Sequence, residues 1–212
     1  MPEKLLKNHL ILFFFFIFTY YFMTTMPVWA QNNRSISNLD VLYRLADSAV
    51  VGLVHKLPEQ SKNIYLKTSL NNSYSVFENR VISLIKEANK NVLTIPDSSS
   101  SSVYFTIDDA KVNYPEIFRD GFFGSYKLKR EISLHGSYVI ANRGAVKDSH
   151  NFSFTSEDTI VQSDVKNLEN QAFPFTRGEV PPEPLFSSLL EPVVALGTAA
   201  VVIYLFFSVR SK

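Results

Sequence analysis

Between residues 103 and 160 apolar side chains recur at every second position, in three runs. Val103, Phe105 and Ile107 make the first, Tyr126, Leu128, Ile132, Leu134, Tyr138 and Ile140 the second, and Phe152, Phe154 and Ile160 the third. A period of two sends successive side chains to opposite faces of an extended chain. The region therefore predicts a three-stranded meander with one buried face. Asn142-Arg143-Gly144 supplies a tight hairpin signal between the second and third strands.

Upstream the period is helical. In "NLDVLYRLADSAVVGLVHKL", residues 38–57, Leu39, Leu42, Leu45, Ala46, Ala49, Val50, Leu53 and Leu57 share one face. Ser37 with Asp40 resembles a capping box, and Pro58 closes the segment. "NIYLKTS" at 63–69 alternates as a short strand. Ser75 and Glu78 form a second box-like start before Phe77, Val81, Leu84, Ile85 and Ala88, and "NVLTIP" reads as the next strand. The polar run "DSSSSS" at 97–102 joins these elements to the meander. The expected fold class is α+β: a two-layer sandwich of two helices on a small, mostly antiparallel sheet.

Both ends are apolar. Lys4 and Lys7 precede an apolar stretch from Leu10 to Met23, and Val28 and Ala30 are small residues suited to a cut before Gln31. This is the make-up of a secretory signal peptide over residues 1–30, with an uncleaved signal anchor as the alternative. At the other end Val193 to Val209 carries no charge, and Arg210 and Lys212 follow. That run predicts one C-terminal transmembrane helix at 193–209 with a cytoplasmic tail at 210–212. The expected order is a signal peptide, an extracytoplasmic domain at 31–172, a proline-rich linker at 173–192, then the span. The expected location is a cell membrane, single-pass, with the bulk of the chain periplasmic or extracellular. "PPEP" at 181–184 before an apolar run and a basic end also resembles the sorting tails cleaved from some exported bacterial proteins, which leaves release as the alternative to anchoring.

The helix "DVLYRLADSAVVGLVHKL", the pair "SVFENRVISLIKEANKNV", and the hairpin "GSYVIANRGAVKDSHNFSFTSEDTI" follow one another in an order similar to small bacterial envelope-assembly domains. These are the periplasmic domains of curli-secretion lipoproteins, penicillin-binding-protein activators and lipopolysaccharide-assembly accessory lipoproteins. The resemblance spans residues 38–162 in pattern. It implies an accessory role through protein contacts in envelope assembly or secretion. Those families anchor through a lipidated N-terminal cysteine, whereas this chain of 212 residues has no cysteine.

No catalytic constellation is legible. Absence of cysteine removes disulfides, thiolate metal sites and a thiol nucleophile. His55, His135 and His150 have no ligand spacing, and Asp108 and Asp109 point to opposite faces if the strand is regular. Seven glycines form no phosphate loop, and no serine sits in a nucleophile elbow. We expect no enzyme, no metal and no cofactor. A net charge of +1 gives no footprint for nucleic acid. Asn33, Asn71 and Asn151 begin Asn-x-Ser triplets, which matter only in a glycosylating secretory pathway.

The stretch that asks for a role is "YPEIFRDGFFGSYKLKRE" at 114–131, an expected long connection rich in rings. Ile117, Phe118, Arg119, Phe122 and Phe123 are the candidate partner-binding residues; the competing account folds the rings back over the core. The expected partners are an envelope protein and, through the span, the membrane. The alternative function is an envelope ligand-binding domain for lipid or glycan with a groove between helices and sheet, possibly released through the cleaved tail.

Overall fold

The computed structural model describes residues 35–97, 100–119, 121 and 124–210, the side chains of 185–191 and 209–210 being left aside. The expected signal peptide lies outside these residues.

Helix α1 (Asn38–Lys56) starts where its sequence says it should. The Asp40 amide donates to Ser37 Oγ at 3.2 Å, and Ser37 Oγ donates to the Asp40 carboxylate at 2.7 Å. Strand β1 (Asn63–Ser69) leads through a 3₁₀ turn to α2 (Glu78–Glu87) and the short β2 (Asn91–Leu93). The expected second capping box does not form, because Ser75 Oγ donates to the Asn72 carbonyl and Glu78 accepts from Thr68 Oγ1. The long strands β3 (Ser101–Arg119), β4 (Tyr126–Asn142) and β5 (Ala145–Val161) follow. Arg143 (φ 51°) and Gly144 (φ 80°) make the β4–β5 turn, both in the left-handed region that a two-residue type I′ hairpin requires.

The strand order is β2-β1-β3-β4-β5. β1 runs parallel to both its neighbours, whereas β3–β4 and β4–β5 are antiparallel. The expected mostly antiparallel sheet is therefore corrected to a mixed one. The physical cause is α2: as a crossover between β1 and β2 it returns the chain in the same direction, and parallel neighbours need such a connection.

The apolar positions of the meander face α1 and α2 and close one core. Phe77, Phe105, Leu42, Leu53, Ile64, Leu128 and Leu134 are fully buried in it. Phe105 stacks on Phe152 at 5.6 Å. Past β5 a short helix, α3 (Val165–Leu168), buries Val165 and Leu168, and a 3₁₀ turn at Pro174–Thr176 brings Phe175 to 5.2 Å from Tyr74 and 5.8 Å from Phe77. Residues 174–180, expected in a proline-rich linker, thus contribute Phe175 and Val180 to the packing.

The last helix, α4 (Leu185–Arg210), holds Pro192 inside it and leaves Val193, Leu196, Val201, Ile203, Phe206 and Phe207 exposed. Among the described residues no helix is long and apolar enough to cross a membrane. The expected C-terminal transmembrane helix, and with it the single-pass membrane location, is corrected accordingly.

Candidate functional site

The stretch 114–131 is mostly strand. β3 continues to Arg119 and β4 begins at Tyr126, so Ile117, Phe118 and Arg119 sit on the ladder opposite Leu128, Lys127 and Tyr126. Phe122 and Phe123 lie outside the described residues. Leu128 is fully buried, and its partner Ile117 is partly buried against the same core. Phe118 takes the opposite face and is 37% exposed. Arg119 Nε donates to the Gly124 carbonyl at 2.9 Å, and its guanidinium lies 5.2 Å from the centre of the Tyr126 ring. Both contacts pin the hairpin end.

Beside Phe118 is a hollow of about 260 Å³ lined by Lys129, Glu157, Asp158 and Thr159. Lys129 and Glu157 pair across it at 3.3 Å, both half exposed. Of the expected residues that are described, Phe118 alone lines this hollow.

Sequence reasoning missed the buried polar knot behind the hairpin. Arg130 is 1% exposed. Its Nε and Nη2 donate to the two carboxylate oxygens of Asp158 at 2.8 and 2.5 Å, a forked pair. Its Nη1 donates to the Ile36 carbonyl at 2.8 Å and to Asn38 Oδ1 at 2.7 Å. Asn38 Nδ2 in turn donates to Tyr114 Oη at 3.0 Å and to the Thr176 carbonyl at 2.8 Å. Tyr114 Oη donates to Glu169 Oε1 at 3.3 Å, and the same oxygen accepts from the Gly178 amide at 2.9 Å. Burial pushes the Tyr114 hydroxyl up to about 12, the nearby Glu169 carboxylate adding to the effect while the Asn38 hydrogen bond opposes it. The signal was present: Arg130 shares the inward register of Leu128 and Ile132, while Lys127, Lys129 and Glu131 point out.

Beside the knot, and sharing Glu169 with it, a cleft of about 470 Å³ is lined by Lys166, Glu169, Gln171 and Arg177. It is not the apolar groove between helices and sheet that a lipid-binding reading expects. The remaining candidates stand apart. His55 ends α1, His135 faces Asp109 on β3 and Ser153 on β5, and the His150 ring is 5.4 Å from Tyr138. Asp108 is the extra residue at a register shift, and both it and Asp109 are exposed.

No family model matches the chain, and no curated protein matches it. Solved structures similar to it include two bacterial lipoproteins. Rare lipoprotein B from Shewanella oneidensis is 11% identical with a TM-score of 0.33, over 70% of this chain and 96% of that one. A minor lipoprotein from Acinetobacter baumannii is 10% identical with a TM-score of 0.33, over 50% of this chain and 69% of that one. At such values the likeness says nothing of what this chain does.

Proposed function

We propose that the chain is a non-catalytic accessory or scaffold domain of the cell envelope that acts by protein–protein contacts. The observation that carries this is Phe118: a large ring exposed on a pinned hairpin, above a hollow whose charges already pair with one another. An aromatic anchor beside a polar rim is the make-up of a contact centre. The apolar segment at 10–23 with its flanking lysines supports the envelope as the compartment. Phe118→Ser tests the reading. It leaves the thermal midpoint within a few degrees, because an exposed side chain away from the core costs little. It also lowers recovery of a cross-linked envelope partner from the native host. Undiminished recovery removes the hairpin as the contact.

A second reading, a small-ligand domain, is favoured by the cleft at Lys166, Glu169, Gln171 and Arg177. Its size falls in the range of ligand sites, and its lining suits a polar sugar better than a lipid. Titration with soluble glycan fragments, followed by the amide signals of 166–177, separates the two.

A further inference from the structure

The far edge of the sheet has no strand beyond it among the described residues. Among these residues β5 pairs with β4 alone, and no backbone bond to another described residue leads from its other side. Natural edges of this length are guarded by charge, proline or a bulge. The ends of β5 are guarded so: Lys147 is the extra residue at the register shift opposite Ile140 and Ala141, and Glu157 and Asp158 stand at the other end. Between them "SHNFSFTS", residues 149–156, carries no charge, proline, glycine or register shift.

We propose that this edge pairs with the same edge of a second copy, antiparallel and centred on Phe152, to form one continuous sheet across a two-fold axis. A two-fold axis between identical edges requires antiparallel strands, and matched faces restrict the register to steps of two. Centred on Phe152, Asn151 meets Ser153, Ser149 meets Thr155 and His150 meets Phe154 of the other copy. Lys147 then comes to Glu157 of the other copy, twice over. Glu157 also pairs with Lys129 at 3.3 Å, but both are half exposed and the carboxylate keeps a free side. Moving the centre one residue towards the C-terminus sets Asp148 against Asp158, a repulsion of like charges directly opposed. Moving it the other way leaves Lys147 facing Thr155. The charges therefore select one register.

The cysteine-free chain offers a direct test. Full-length Asn151→Cys and Ser153→Cys variants, purified in mild detergent, are treated with a short thiol cross-linker, singly and mixed. The mixture gives a cross-linked dimer and each variant alone gives far less. Equal cross-linking of each variant alone, or none in the mixture, overturns the register. Lys147→Glu weakens dimerisation about tenfold by ultracentrifugation, and adding Glu157→Lys restores it. Failure of the double variant to recover, or a monomeric parent chain, overturns the pairing.

Discussion

Arg130 is a charge that the fold holds out of water, 1% exposed, with four hydrogen bonds from its guanidinium. Removing such a group is costly because its partners stay behind: Asn38 Oδ1, the Ile36 carbonyl and the Asp158 carboxylate each lose a donor. Arg130→Ala is expected to cost about 3 kcal/mol or more in chemical denaturation. Asp158 is 47% exposed, so Asp158→Asn loses less. Tyr114 gives the knot a pH signature. Its hydroxyl titrates near 10 in the unfolded chain and about 12 in the folded one. The folded state then holds the proton more tightly, so its contribution is complete below pH 10 and is lost as pH rises towards 12. The loss is on the order of 2 kcal/mol. Tyr114→Phe should flatten that alkaline decline in stability measured from pH 9 to 12. These residues were only partly legible. Alternation placed Arg130 inward, but its charge argued for solvent, and the partners that reverse the argument lie on segments whose meeting no local pattern encodes.

Among the elements, β4 is hemmed in at Gly136 by both of its neighbours, β3 and β5. A Cβ there would lie 2.3 Å from the Thr106 carbonyl oxygen and 2.4 Å from the Phe152 ring. The ring can yield but the backbone oxygen cannot. Gly136→Ala is therefore expected to destabilise by about 1–3 kcal/mol, and Phe152→Ala in the same chain should not recover the loss. Thermal unfolding of the single and double variants checks this. The elements themselves could be read well where one signal decides them. Ser37 capped α1 as its sequence said, and the turn at Arg143-Gly144 needed two positive φ values that glycine eases. The parallel pairing of β1 was implicit in the strand–helix–strand order of 63–93, but the alternation of the meander outweighed it. The span at 193–209 was read from a charge-free run followed by basic residues, a pattern that does not by itself make a helix long and apolar enough to cross a membrane.

At the scale of the whole molecule, the tail decides how the core is closed. Phe175 packs on Tyr74 and Phe77, Thr176 is fully buried, and Gly178 lies so close to Tyr114 that a Cβ would come within 2.9 Å of the ring. A chain ending after Glu183 should keep its cooperative melt, whereas one ending after Ala172 should lose several degrees and bind a hydrophobic dye. Differential scanning fluorimetry of the two truncations distinguishes them. Composition could not reveal this, because proline and glycine at 174–184 mark a linker and a tightly turned closing segment in the same way.

The same knot fixes where the domain is entered and left. Asn38 stands at the way in and Thr176 at the way out, and the side chain of one touches the carbonyl of the other at 2.8 Å. The two ends of the folded body are thus neighbours in space. A short loop joining residue 180 to residue 35, with the chain reopened between Arg143 and Gly144, should give a circular permutant with the same sheet. The arrangement is also mechanical. A pull on both ends loads the Ile36–Arg130 and Gly178–Glu169 bonds and then the Asn38–Thr176 contact, so the knot acts as a clasp on the body.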